Sequence, residues 1–185
     1  LQLIVEMLRS EGEPGFINLE TAAKRRLKAL GIENPNRELL EQTMVMTGLN
    51  PCAEILLDNK GVCNLTTINF VQFVEYDTLN LDELIRAQKR SVRAGLRMPP
   101  AELELESWKR TQDRDRLLGS SITGEKDAMA MCSTGKMVKV QLNGKLDYMT
   151  EESILSILRD EARKEADKYA KKLRVASPLL VTTVK

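Results

Sequence analysis

Asn50-Pro51-Cys52-Ala53-Glu54-Ile55-Leu56-Leu57-Asp58-Asn59-Lys60-Gly61-Val62-Cys63-Asn64-Leu65 is the most informative stretch of the chain. An amide, a thiol and a carboxylate alternate at Asn50, Cys52 and Glu54, and a second thiol follows at Cys63. Pro51 discourages regular helix beside the first cysteine, so an extended or turning segment is expected. Residues two apart in an extended segment point to the same side, which lets Asn50, Cys52 and Glu54 converge on one small volume. A lone cysteine often serves as a small buried hydrophobe. Asn50 and Glu54 are costly to bury beside one unless hydrogen-bonded, and strands disfavour Asn, Pro and Glu. Packing and chemistry both stay open, with a thiol flanked by an amide and a potential general base as the chemical reading.

Outward from this stretch, Val62 to Phe70 is rich in β-branched residues and is the clearest strand in the chain. Asp58-Asn59-Lys60-Gly61 is the turn before it, and Met44-Val45-Met46 reads as a strand leading in through Gly48. Upstream, residues 1–10 read as the end of a helix and Phe16-Ile17-Asn18 as a short strand. Leu19 to Leu30 is a helix closed by Gly31, and residues 33–42 are irregular or briefly helical. Downstream, positions 81, 84, 85, 88, 92 and 96 mark one helical face, begun by Asn80 and Glu83 as a capping box and weakened at its end by Gly95. Pro99-Pro100 breaks that helix, and a charged helix spans about residues 101–118. Gly119-Ser120-Ser121-Ile122-Thr123-Gly124 reads as a loop, capable at most of lining a ligand. Residues 125–150 carry the weakest pattern, with Lys136 to Leu142 as an exposed strand before the hairpin dipeptide Asn143-Gly144. A long amphipathic helix runs from Glu151 to about Leu173 and leads to a last apolar run, Pro178 to Lys185. Strands alternating with helices predict an α/β fold with parallel strands.

The 185 residues suffice for one domain with a sizeable core, residues 1–185 being expected to form a single partial domain. Lys plus Arg is 28 against 27 Asp plus Glu, so no global field recruits nucleic acid or an anionic membrane. No apolar run reaches the roughly eighteen residues of a membrane span. The first nine residues carry Glu6 within an apolar stretch and no basic lead, which is a helix and not a signal peptide. Three cysteines without a secretory signal point to a reducing, cytoplasmic setting. An opening residue other than Met and an ending on a β-like run suggest a fragment of a larger protein.

The chain has no histidine, which removes His-based acid–base catalysis and His-ligated metal. A structural zinc site needs about four ligands, and two cysteines eleven apart with a distant third do not supply them. There is no Cys-x-x-Cys, no Walker A sequence and no G-x-G-x-x-G. Trp108, Tyr76, Tyr148 and Tyr169 read as structural.

Asn-Pro-Cys-Ala-Glu-Ile, with Gly-Val-Cys-Asn-Leu setting its cysteine eleven residues after the first, resembles the active-site segment of adenosylcobalamin-dependent (class II) ribonucleotide reductases. Gly12-Glu13-Pro14-Gly15-Phe16-Ile17-Asn18, Arg114-Asp115-Arg116-Leu117-Leu118 with the following Gly119 to Gly124, and Ser177 to Lys185 agree with it. The resemblance covers most of the chain and is weakest at about 125–150. It implies a partial ten-stranded α/β barrel with Cys52 on a finger loop. It further implies that Cys52 becomes a transient thiyl radical that abstracts the 3′-hydrogen of a ribonucleoside di- or triphosphate. Glu54 would take the 3′-hydroxyl proton, Asn50 would hold the ribose hydroxyls, and Cys63 would be one of two reducing thiols. Adenosylcobalamin is the implied cofactor, with no cofactor-binding residues assigned, and a thioredoxin-like or dithiol reductant is the implied partner. The second reducing thiol, the C-terminal cysteine pair and a phosphate-binding loop expected after Lys185 have no counterpart here, so the isolated chain is expected to be inactive.

Reductases that draw their radical from a separate iron or manganese subunit share Asn-x-Cys-x-Glu. They resemble this chain less in Asn-Pro-Cys and in the short interval to Cys63. The stretch Arg-Leu-Leu-Gly-Ser-Ser-Ile-Thr-Gly is similar to the triphosphate-using branch. Two further readings differ in class: a non-catalytic α/β module, and a thiol–disulfide protein pairing Cys52 with Cys63.

Overall fold

The structure, a computed structural model, describes residues 2–12, 15–50, 55–98, 102–179 and 181–182. Two compact units follow one another, Leu1–Gly48 and Leu49–Lys185. The first holds α1 (Gln2–Glu11), α2 (Leu19–Ala29) and α3 (Arg37–Met46). Asn18 caps α2 by accepting the Thr21 N–H at 2.9 Å, and Asn36 caps α3 by accepting the Leu39 N–H at 2.8 Å. The end of α2 turns through Gly31 at φ +83°, where the N–H groups of Gly31 and Ile32 return to the carbonyls of Lys28 and Leu27. Two sequence expectations are corrected here. Phe16-Ile17-Asn18 forms no strand, because Asn18 is spent as a cap. Met44-Val45-Met46 is the last turn of α3, since the helix-propensity cost of one β-branched residue is only a few tenths of a kcal/mol once a cap has started the helix.

β1 (Thr47–Leu49) runs through the division between the units. The second unit continues with β2 (Leu56–Asp58), β3 (Asn64–Asn69), a 3₁₀ turn at Phe70–Phe73, β4 (Val74–Glu75), β5 (Thr78–Asn80) and α4 (Leu81–Arg97). Then come α5 (Glu106–Asp115), β6 (Leu118–Thr123), α6 (Glu125–Cys132), β7 (Ser133–Thr134), β8 (Met137–Leu142), β9 (Lys145–Met149), α7 (Glu151–Leu173) and β10 (Val181–Thr182).

β3, β6 and β10 form a parallel sheet in the order β10-β6-β3, with Asn64 opposite Leu118 and Asn69 opposite Thr123. The alternation β3–α4–β6–α7–β10 is therefore the α/β arrangement that the sequence predicts. The stretch read as a loop, Gly119 to Gly124, is the central strand up to Thr123, and Leu118 to Ile122 are all buried. Its small residues are there because α4 crosses closely. A Cβ at Gly95 would lie 2.0 Å from Leu118 Cδ1, so the glycine that weakens the helix is the point where helix and strand touch. Beside it Ser91 Oγ stands 2.6 Å from Thr66 Oγ1 and 3.0 Å from Ser120 Oγ, while the fully buried Gln88 donates to the Ser120 carbonyl at 3.4 Å. The remainder of α4 buries Leu81, Leu84, Val92 and Leu96, as its spacing requires.

Residues 133–149 join β4 and β5 in a second sheet in the order β4-β5-β8-β7, with β9 on the free side of β8. The strand expected at residues 136–142 is β8, but it is not an exposed strand: Val138 and Val140 are buried in the core with Leu79, Phe70 and Ile154. Asn143 (φ +53°) and Gly144 (φ +72°) make the hairpin turn. The Asp82 carboxylate in the first turn of α4 accepts both of their N–H groups, at 3.0 and 3.2 Å. The long helix α7 matches its predicted bounds and is clamped to α4. Tyr169 Oη accepts from Arg97 Nε at 2.7 Å, its ring is flanked by Arg93 and Arg97, and Arg93 meets Glu165 at 2.6 Å. Among the described residues no helix is long and apolar enough to cross a membrane.

Gly95→Ala raises helix propensity by about 1 kcal/mol yet forces a methyl into Leu118, an overpacking that costs typically 1–3 kcal/mol. Thermal melting of the variant should show a net loss of stability, larger for Gly95→Val; a rise in melting temperature would contradict the close crossing. Asp82→Ala removes the acceptor of two hairpin N–H groups and should cost about 1–2 kcal/mol in denaturant unfolding. Asp82→Asn, which keeps an acceptor, should lose less.

Candidate functional site

β2 and its flanks carry the two candidate residues that lie among those described. The Asn50 N–H donates to the Ile55 carbonyl at 3.3 Å, and Asn50 Oδ1 accepts the Ile55 N–H at 3.1 Å. Ile55 is fully buried, so this double clip is anchored on the core. Asn50 and Ile55 are thereby tied to each other. Cys52 and Glu54 fall within 51–54, outside the described residues. Asn50 Nδ2 makes no hydrogen bond to a described residue and is left as a donor.

After Ile55, β2 ends at Asp58. The Asp58 carbonyl accepts the Gly61 N–H at 2.8 Å, closing a turn in which Lys60 has φ +67°. A Cβ at Gly61 would stand 2.8 Å from that same carbonyl, which is why glycine follows the turn. Cys63 is half-buried directly before β3, and the next residue, Asn64, donates its N–H to the Leu117 carbonyl at 3.2 Å.

An ion network that the sequence reading did not single out sits beside this turn. Arg114 at the end of α5 makes a two-pronged pair with Asp115, Nε to Oδ1 at 2.6 Å and one terminal nitrogen to Oδ2 at 2.8 Å. The same terminal nitrogen reaches Asp58 Oδ2 at 2.7 Å. The Asp115 side chain is only 3% exposed, and its carbonyl accepts the Leu179 N–H at 2.9 Å. Hydrogen bonding to Asp115, with the Asp58 charge behind it, raises the pKa of Arg114 and holds it firmly in its charged form. α5 stops here because Arg116 adopts a left-handed conformation (φ +47°). The available sequence signal was the charged triplet Arg114-Asp115-Arg116 at a helix end directly before a strand.

The remaining candidates resolve otherwise. Cys132 ends α6 inside the core, and burial pushes its thiol pKa up, so it is a packing residue. Tyr169 is structural, as read. Among the described residues no group of three His, Cys, Asp or Glu side chains could hold a metal ion.

No curated protein matches the chain by sequence. The crystal structure of a B12-dependent (class II) ribonucleotide reductase matches it in fold, with a TM-score of 0.66 at 20% identity. That match covers 98% of this chain and 25% of the other, so the chain spans about a quarter of the length of the reductase it resembles. The family model for the ribonucleotide reductase barrel domain matches residues 1–172. With that match over nearly the whole chain, the chain belongs to the ribonucleotide reductase barrel-domain family.

Proposed function

We propose that the chain is part of the catalytic barrel of an adenosylcobalamin-dependent ribonucleotide reductase, which converts ribonucleoside di- or triphosphates to deoxyribonucleotides. The family match over residues 1–172 carries this reading. The Asn50–Ile55 clip supports it, because a loop that carries a radical thiol must have its base fixed against a rigid core. Since the chain spans a quarter of the matched reductase, the activity is that of the larger parent protein.

In this reading Cys52, as a thiyl radical, takes the hydrogen atom from C3′ of the ribose and later returns it. Glu54 takes the proton of the 3′-hydroxyl, a general-base role that suits a carboxylate held near the sugar. Asn50 keeps Oδ1 on the Ile55 N–H and uses Nδ2 to donate to a ribose hydroxyl. Cys63 and a second thiol of the parent protein give up two electrons and two protons. The 2′-hydroxyl leaves as water, and the two sulfurs end as a disulfide. A thioredoxin-like or dithiol reductant then restores the thiols, as the cytoplasm allows. Adenosylcobalamin carries its own metal, so what the chain would have to provide is a thiol, the part this reading gives to Cys52. Bound adenosylcobalamin would supply the one-electron chemistry at Cys52.

The test is deoxyribonucleotide formation by the parent protein with a dithiol reductant, with and without adenosylcobalamin. Activity should require the cofactor and fall to background in Cys52→Ser, while the variant melts like the unmodified protein. Cofactor-independent activity would move the protein to the class with a metal-bearing subunit. Full activity in Cys52→Ser would remove the thiyl mechanism.

A further inference from the structure

We propose that Arg114 is a positioning residue for the reducing thiol Cys63, acting through Asp58; this rests on the role given to Cys63 above. The turn that leads to Cys63 is gripped on both sides by one short segment, residues 114–117. On the upstream side Arg114 holds the Asp58 carboxylate at 2.7 Å, and Asp58 is the residue whose carbonyl closes the turn onto Gly61. On the downstream side the Leu117 carbonyl holds the N–H of Asn64, the residue after Cys63. Arg114 does not itself swing freely, because Asp115 binds it in two-pronged fashion. Asp115 in turn is buried and fastened through its carbonyl to Leu179 on the approach to β10.

The requirement for arginine is geometric. Satisfying two carboxylates at once takes a planar fork with several fixed N–H directions, whereas an ammonium is a single point charge. A thiol that must meet substrate on one side and a second thiol on the other tolerates little displacement, since misplacement of about 1 Å can cost on the order of a hundredfold in rate. Arg114 touches neither substrate nor thiol in this account; it fixes the Asp58–Gly61 turn, and the turn fixes the thiol.

The test uses the full parent protein and reads the rate at which iodoacetamide alkylates Cys63, followed by peptide mass mapping, with buried Cys132 as the internal reference. In Arg114→Ala the Cys63 rate should rise several-fold while Cys132 stays slow, and Arg114→Lys should fall between Arg114→Ala and the unmodified protein. Turnover should drop in the same order with the KM for nucleotide unchanged, as expected when positioning and not binding is lost. Should Arg114→Ala fail to melt cooperatively, Asp58→Asn, which keeps the shape and loses the charge, is read by the same criterion. An unchanged Cys63 rate in a folded variant overturns the proposal. Absence of activity in the unmodified protein overturns the reductase reading instead, and the alkylation rates still report whether Arg114 orders the turn.

Discussion

The close approach of α4 to β3 and β6 is the constraint on which the second unit depends. Gly95 has no side chain where Leu118 comes up to the helix, and the small polar residues Ser91, Thr66 and Ser120 fill the next turn with hydroxyl contacts. Larger side chains on either surface would push the helix outward and open the apolar contacts of Val92 and Leu96 below it. Buried hydroxyls are costly unless they bond to one another, which is why Ser91, Thr66 and Ser120 lie together along one seam. β6 is thereby held as the middle strand, and the segment just before it, residues 114–117, inherits a fixed position.

That inheritance links packing to the candidate chemistry. Arg114 and Leu117 reach back to the two sides of the turn before Cys63, so the place of a surface turn is set by a strand in the core. Asn50, just before residues 51–54, closes in turn on buried Ile55. In our proposal these two anchors share a purpose: both flank residues that exchange hydrogen atoms, protons or electrons with a ribose.

Much of the helical structure was legible in the residues. Asn80 with the apolar spacing that follows it defines α4, and the amphipathic stripe from Glu151 defines α7, almost to the residue, because a side-chain cap and a 3.6-residue stripe are local properties. β6 was not legible, since Gly-Ser-Ser reads as a loop to any propensity scale, and only its neighbours β3 and β10 and the crossing helix make it a strand. The same holds for Met44-Val45-Met46, where the Asn36 cap outweighed a local β preference, and for β8, whose burial depends on strands from elsewhere in the chain.

Of the candidate site, the sequence by itself determined the chemical inventory: two thiols eleven residues apart, an amide and a carboxylate around the first, and no histidine. Side-chain chemistry is fixed by residue identity and needs no fold. Tertiary structure alone decided that Cys132 is packing, that Asn50 uses its carbonyl oxygen to accept the Ile55 N–H, and that Arg114 spans to Asp58. Arg114 and Asp58 are far apart along the chain, and ion pairs between such residues leave no periodicity or spacing to read. They exist only once the parallel sheet has brought the end of α5 beside the end of β2.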